Sequence, residues 1–276
     1  QRDDLCLSYL RKEVSVLKIA LIADIHGNLP GLVAALDHLD ALEVDQVVCL
    51  GDLVHYGPYP SEVVDLIMDR GIDTVQGNCD RAVARGRDST GDEYPNVQWR
   101  KEADEVLQWT CDQIDPEQRK FLRKLPSSMR YKIGNNRILC VHGTPANISG
   151  GIRNSDTPEV HRYLLKRNDC DVLAAGHTHD MLLFSGGGGM IANPGSVGGG
   201  TLPGTSTMAL LNVDEERPRV SVCWHRVPFD TGRYRAKYEQ EELPGTFLKC
   251  VLLGRDPRGE WHTSEIGRRQ KWAEPL

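Results

Sequence analysis

Apolar runs alternate with helical patterns in the first half of the chain, and each run ends in a polar cluster. Residues 17–23 form a mostly apolar run, and residues 29–42 carry leucines at helical spacing. A second run at 44–50 and a third at 72–75 repeat this arrangement, with a helix expected to start at Pro60 between them. The alternation predicts a parallel sheet covered by helices.

The rest of the chain has a different pattern. Residues 81–126 are polar and mostly helical in pattern, with an exposed loop expected at 88–96, and we expect them to form an insertion beside the sheet. Short strands separated by glycine-rich turns follow at 181–227, and this half is expected to be antiparallel. The predicted organisation is an N-terminal extension at 1–14, a main domain at 15–228 with the insertion, and a C-terminal helical extension at 229–276.

Five polar clusters stand at the ends of predicted strands. Their potential metal ligands are Asp24, His26, Asp52, Asn78, His142, His177 and His179. In open α/β sheets, ligands bind beyond the carboxyl ends of the strands, so residues far apart in sequence can converge there. Carboxylate and amide oxygens mixed with imidazole nitrogens suit Mn, Fe, Co, Ni or Zn. Asp52 stands alone after its glycine and is the candidate to bridge two ions.

The order of these clusters resembles one known family. The series Asp-x-His, Gly-Asp, Gly-Asn-x-Asp, His-Gly and Gly-His-x-His is similar to that of the calcineurin-like metallophosphoesterases, over roughly residues 17–227. Segments 51–58 and 193–196 resemble the bacterial phosphodiesterase branch of that family. The resemblance implies a four-layer α/β/β/α sandwich with two divalent metal ions. Manganese is expected, with Fe, Zn, Ni, Co and Mg as alternatives.

The resemblance also assigns roles to individual residues. It implies one metal held by Asp24, His26, Asp52 and His179, and the other by the shared Asp52, Asn78, His142 and His177. A hydroxide between the metals would attack phosphorus. The implied catalytic residues are Asp52, Asn78, Cys79 and His142, and the implied substrate contacts are Asn28, His55 and Tyr56. The expected reaction is hydrolysis of phosphodiesters of small molecules or nucleotides.

Two departures from the family pattern qualify this prediction. Cys79 stands where the third motif usually has a histidine, and a thiol is a poorer donor than imidazolium, so we expect activity to favour good leaving groups. His55 and Tyr56 replace the Asp-Arg of the Ser/Thr protein phosphatases and diadenosine tetraphosphatases, whose arginine clamps phosphate. The absence of that arginine counts against a protein phosphatase or dinucleotide polyphosphate hydrolase, which is kept as the alternative. A scaffold that kept the fold without catalysis is a third hypothesis.

Composition sets the remaining expectations. The chain has 276 residues, a net charge of −6 and a pI of about 5.9, which argues against stable nucleic-acid binding. No apolar run approaches the length of a membrane span, so no membrane partner is expected. The eight cysteines are scattered, with no Cys-x-x-Cys pair, which favours reduced thiols and a cytoplasmic location. The expected partner is a small phosphate ester, and the oligomeric state is left open.

Overall fold

The computed structural model describes residues 15–200 and 202–258, which form strands and helices as follows. The strands are β1 (Val16–Ile22), β2 (Gln46–Cys49), β3 (Asp73–Thr74), β4 (Ser128–Ile133), β5 (Asn136–Val141), β6 (Val172–Ala175), β7 (Met181–Gly186), β8 (Gly189–Pro194), β9 (Thr205–Asp214) and β10 (Val220–Pro228). The helices are α1 (Leu29–Ala41), α2 (Pro60–Asp69), α3 (Asn78–Arg85), α4 (Val97–Gln113), α5 (Pro116–Lys124), α6 (Pro158–Arg167), α7 (Thr231–Gln240) and α8 (Gly245–Leu253).

The first sheet contains the parallel strands that the sequence predicts. Its order is β10-β9-β1-β2-β3. Strands β1, β2 and β3 run parallel, while β9 and β10 extend the sheet on its other side in antiparallel pairs. The last two strands of the domain therefore join the sheet formed by the first three.

The second sheet is mixed, and the antiparallel pattern expected for residues 181–227 is wrong at one pairing, that of β8 with β6. Its order is β4-β5-β6-β8-β7. Strands β5, β6 and β8 run parallel, and only the outer pairs β4–β5 and β7–β8 are antiparallel. The cause is the tight β7–β8 hairpin, which returns β8 alongside β6 in the same direction. Short strands and glycine-rich turns do not reveal that pairing.

The two sheets pack face to face between two layers of helices. Ile19 and Leu21 of β1 lie in the apolar cluster between the sheets, together with Cys140 of β5. Ala20 and Ile22, on the opposite face of β1, pack against α1 and α2. Helix α6 covers the outer face of the second sheet. This confirms the predicted α/β/β/α fold.

The helical insertion and the C-terminal helices meet beside the sheets. Val106 of α4 shares an apolar cluster with Tyr234 and Tyr238 of α7, Phe247 of α8, and Tyr56. The C-terminal helices therefore pack on the loop after β2. Residues 1–14 and 259–276 lie outside the described residues, and the division of the chain into domains stays a prediction.

Two expectations from composition can be compared with the structure. No helix within 15–200 and 202–258 is long and apolar enough to cross a membrane. The cysteines that the structure describes are all free, and six of these seven are buried. The fold therefore uses its thiols as small apolar side chains rather than as cross-links.

Candidate metal centre

The candidate ligands lie at the carboxyl ends of the strands, and the backbone there is strained. Left-handed φ angles occur at Asp24 (53°), His26 (48°), Asp52 (55°), His177 (66°) and His179 (59°). Residues other than glycine rarely adopt this conformation, which costs about 1–3 kcal/mol each and concentrates at functional sites. The strain aims these side chains at one point, which regular strands or helices would not do.

The first group of ligands gathers around two imidazole nitrogens. Nε2 of His26 lies 3.0 Å from Nε2 of His179. Asp24 Oδ1 is 3.4 Å from the His179 nitrogen and 3.9 Å from the His26 nitrogen. Asp52 Oδ2 completes the group at 3.9 Å from His26 Nε2. These are the four residues that the family resemblance assigns to one metal.

The second group shares the same carboxylate oxygen. Asp52 Oδ2 lies 3.3 Å from Nε2 of His142. That nitrogen is also 3.0 Å from Asn78 Oδ1 and 3.2 Å from Nδ1 of His177. One oxygen of Asp52 therefore faces both groups, which is the geometry required of a bridging ligand.

Backbone carbonyls fix the orientation of two of the imidazoles. Nδ1 of His142 lies 2.8 Å from the carbonyl of Leu50, and Nδ1 of His26 lies 3.2 Å from that of Val54. An N–H donated to each carbonyl leaves the Nε2 lone pair directed into the centre. Outer hydrogen bonds of this kind are typical of metal-ligating histidines.

A buried carboxylate oxygen provides the test of whether a cation fits. Asp24 is fully buried, and its Oδ1 has no hydrogen-bond partner within the described part of the chain. A buried, unpaired carboxylate oxygen costs several kcal/mol unless a cation satisfies it. This oxygen and the nitrogens of His26 and His179 form one set of clustered ligand atoms, and Asp52, His142 and His177 form another. The donor atoms therefore fit two divalent cations.

The ring pKa values show the strong electrostatic coupling in the centre. Burial lowers the pKa of His26 to about 4, and repulsion from His179 adds to this shift. Burial also acts to lower the pKa of His142, but the Asp52 carboxylate acts against it. The net result is a pKa raised to about 9. A proton and a metal ion therefore compete for the same nitrogen of His142.

Asp80 holds the bridging ligand in place. Its carboxylate accepts hydrogen bonds from the backbone N–H groups of Asp52 (2.9 Å), Leu53 (2.8 Å) and Gly77 (2.8 Å). The Asp52 carboxylate in turn accepts the backbone N–H of Cys79 at 2.9 Å. The Gly-Asn-x-Asp motif therefore contributes a ligand and also braces the loop that carries Asp52.

The turn after β8 braces the first cluster. Ser196 Oγ donates to the Asp24 carbonyl at 2.7 Å, and the Gly198 N–H donates to the same oxygen at 2.9 Å. Asn28, predicted to contact substrate, caps α1 by accepting the Gly31 N–H at 2.9 Å and donates to the Gly198 carbonyl at 2.8 Å. The structure gives the Asn28 amide this bracing role, and its contact with substrate stays a prediction.

The other predicted site residues, Cys79, Tyr56 and His55, are all buried. Cys79 is fully buried, and its thiol lies near His26 and Asp52. Tyr56 stacks near His26 with ring centroids 4.7 Å apart, and its hydroxyl lies 2.8 Å from that of Tyr94. His55 lies against Tyr56 with centroids 4.0 Å apart and is fully buried. Of these two rings, that of Tyr56 lies beside a candidate metal ligand, His26.

Three residues at the centre escape sequence reasoning. Asp92 lies in the loop expected to be exposed, but it is buried and accepts the Asn78 amide at 3.0 Å, which fixes the direction of Asn78 Oδ1. Asp256 and Arg258 follow α8, where no pattern is readable. Asp256 Oδ2 lies 3.2 Å from Nδ1 of His179. Each needs a long-range contact that no local motif encodes.

The centre is covered in this structure. The space beside His26 and His179 has a volume of about 10 Å³, which holds about one water molecule. Tyr56, Phe247 and Pro257 are among the residues that line it. A larger ligand reaches the ligating atoms only when part of this cover moves.

Comparisons with known proteins agree with the fold and show the family. The model of the calcineurin-like phosphoesterase superfamily domain matches residues 17–216. The chain therefore belongs to this superfamily.

Several relatives extend the match over nearly the whole fold. The chain is 29% identical to the uncharacterised protein MJ0912 of Methanocaldococcus jannaschii, over 86% of this chain and 98% of that protein. It is similar to the crystal structure of hypothetical protein PH1004 from Pyrococcus horikoshii, with a TM-score of 0.75 and 26% identity over 87% of this chain and all of that one. It is also similar to a metallophosphoesterase from Sphaerobacter thermophilus, with a TM-score of 0.67, 29% identity and the same coverage.

Proposed function

We propose that the protein hydrolyses small phosphate esters, with phosphodiesters of small molecules or nucleotides as the preferred class, at a centre of two divalent metal ions. The observation that carries this proposal is the pair of ligand groups sharing Asp52 Oδ2, which lies 3.9 Å from His26 Nε2 and 3.3 Å from His142 Nε2. The shared oxygen is what a dinuclear site requires and what a single structural ion does not need. Manganese is the expected metal.

In this proposal each residue of the centre either binds an ion or positions a ligand. Asp24, His26 and His179 hold one ion, Asn78, His142 and His177 hold the other, and Asp52 joins them. When bound, such ions lower the pKa of water and neutralise charge on a phosphoryl group. Asp92 and Asp80 keep the ligands in position through the contacts described above, so that little reorganisation is needed when the substrate binds.

Cys79 supports the preference for good leaving groups. Burial first, and then Asp52, raise the pKa of its thiol well above the ordinary range. The side chain is therefore a neutral thiol at physiological pH. A neutral thiol protonates a departing alkoxide poorly, so an ester whose leaving group needs no proton is the expected substrate.

The alternatives lead to different measurements. A protein phosphatase or dinucleotide polyphosphate hydrolase would act on phosphopeptides or dinucleotides. A scaffold would bind little metal and hydrolyse nothing. We therefore expect metal-loaded protein to hydrolyse bis(p-nitrophenyl) phosphate faster than p-nitrophenyl phosphate or a phosphopeptide, with a rate that depends on added Mn²⁺.

The matched variants are Asp52→Asn and Asp112→Asn. Asp112 is exposed on α4, far in sequence from every ligand, and the substitution makes the same charge change. We expect Asp52→Asn to lose nearly all activity and Asp112→Asn to keep it. Hydrolysis that persists in Asp52→Asn, or that is absent from the wild type with every ester and metal, contradicts the proposal.

A further inference from the structure

A buried guanidinium faces the candidate metal centre from the segment after α8. Arg258 is only 3% exposed. Its Nη1 lies 3.5 Å from Nε2 of His177, the nitrogen on the outer side of that ring. The inner nitrogen, Nδ1, points into the centre toward His142. Arg258 is therefore separated from the metal positions only by the imidazole of a ligand.

One edge of this guanidinium is bound by Asp256, and Nη1 on its other side faces His177. Nε and Nη2 of Arg258 donate to Asp256 Oδ1 at 3.2 Å and Oδ2 at 3.0 Å. The backbone N–H of Arg258 also donates to Asp256 Oδ1, at 2.7 Å. Asp256 and Arg258 are two positions apart in the chain. Asp256 therefore orients the guanidinium, while Nη1 remains directed at His177.

The contact between Arg258 and His177 lacks an acceptor when a metal is bound. With Nδ1 of His177 as the metal ligand, the ring carries its proton on Nε2 and donates there. Arginine donates from every nitrogen. Nη1 of Arg258 then needs another acceptor, and a phosphoryl oxygen has the charge and lone pairs to be one.

The burial of a guanidinium leads to the same ligand. Asp256 pairs with Arg258, but a buried ion pair is weak evidence for a role in stability alone. Arginine is suited to binding phosphate, so a guanidinium at this position suits an anionic ligand.

The positions that supply a cation in related enzymes are changed in this chain. Cys79 is a neutral thiol, and His55 and Tyr56 offer no guanidinium. The phosphate-binding charge must then come from another element, and the segment after α8 brings one to the centre.

We propose that Arg258 binds the phosphoryl group of the ester, with Nη1 donating to a non-bridging oxygen. Asp256 positions the guanidinium. This proposal rests on the proposed function, since it assigns a contact within the same site. It identifies an anion-binding residue that the family motifs do not include.

The test uses inorganic phosphate as the probe and the full-length chain at saturating Mn²⁺. Phosphate binding is measured by isothermal titration calorimetry, and the metal content of each sample is measured alongside. We expect Arg258→Gln to weaken phosphate binding by about 10- to 100-fold, the effect of one or two charged hydrogen bonds. We expect Arg258→Lys, which keeps the charge, to recover part of that loss.

A matched control separates local from general charge effects. Arg235 is exposed on α7, and Arg235→Gln makes the same charge change away from the centre. We expect this variant to bind phosphate like the wild type. Thermal unfolding of all variants shows whether Arg258→Gln acts through stability, and a merely structural role predicts a lower Tm with no recovery by lysine.

Two results would overturn the inference. One is phosphate affinity in Arg258→Gln within about twofold of the wild type, and the other is equal loss of affinity in Arg258→Gln and Arg258→Lys. Failure of the proposed function would look different, because it would appear as absent hydrolysis by the wild type. Phosphate binding by the metal-loaded wild type would still show whether Arg258 recognises the anion.

Discussion

Gly77 lies so close to the bridging carboxylate that any side chain there must displace it. A Cβ built on Gly77 would lie 2.7 Å from Cγ of Asp52 and closer still to its Oδ1 and its backbone nitrogen. Ordinary contacts of a Cβ begin at 3.4 Å, so the carboxylate and the backbone of Asp52 must both move by more than about half an ångström. Gly77 has an ordinary φ of −87°, so the effect of an alanine arises from this contact and not from backbone strain.

The displacement should affect metal binding and catalysis more than folding. Overpacking of this size costs about 1–3 kcal/mol of stability. Misplacing a reacting group by about 1 Å can cost about 100-fold in rate. We therefore expect Gly77→Ala to fold, to bind clearly less metal than the wild type, and to lose about 100-fold in Mn²⁺-dependent hydrolysis.

Gly245→Ala provides the matched control. Nothing lies within 4 Å of a Cβ at Gly245, which begins α8, so alanine should leave activity unchanged and stabilise the helix slightly. The assays are metal analysis after dialysis, hydrolysis of an aryl phosphodiester and thermal unfolding. If Gly77→Ala keeps full metal content and more than half of the wild-type rate, Asp52 does not bridge the ions as described.

Three further predictions concern the ligands and their neighbours. Asp256→Asn should weaken metal binding by about 10- to 100-fold, because it removes the carboxylate beside His179. The same metal affinity in Asp256→Asn as in the exposed Asp112→Asn would contradict this. Burial opposes protonation of His142 and His179, but neighbouring carboxylates raise both pKa values to about 9. Asp52 acts on His142, and Asp24 and Asp256 act on His179. Metal must displace these protons, so its apparent affinity should rise from pH 6.5 toward pH 9 with proton release visible in calorimetry, and a pH-independent affinity would refute the assignment. Cys79→His should raise the rate on alkyl phosphodiesters more than on aryl ones, and equal changes on both would rule out a leaving-group role.

The gathering of the candidate metal ligands was predictable from the sequence because each follows a local rule. A buried strand ends, a glycine or a short turn follows, and a polar side chain stands where packing gives it no purpose. Asp24, Asp52 and Asn78 all satisfy this description, and the structure brings them together with the predicted histidines. The sharing of Asp52 could also be anticipated, since it stands alone in its cluster.

The pairing of the later strands could not be predicted in the same way. Strand β8 pairs with β6 in parallel because the hairpin with β7 returns it there, and β9 and β10 leave that sheet for the first one. Short strands with glycine-rich turns between them allow several pairings of similar local quality. Only the packing of both sheets around a common core selects one.

The surroundings of the ligands were the least accessible part of the site. Asp92 lies in a polar loop that reads as solvent-exposed, and Arg258 lies in a segment without periodicity. Their burial depends on α4, α7 and α8 packing around Tyr56. A polar residue near the metal centre thus looks the same in sequence as one on the surface, until the tertiary contacts are known.

The central claim is that seven side chains hold two divalent ions through a shared Asp52, and the metal content of the chain tests it most directly. The measurement is elemental analysis of wild type and Asp52→Asn after reconstitution with Mn²⁺ and removal of unbound metal. The account predicts about two ions per wild-type chain and fewer in the variant. One ion or less in the wild type, or the same content in both proteins, would contradict it.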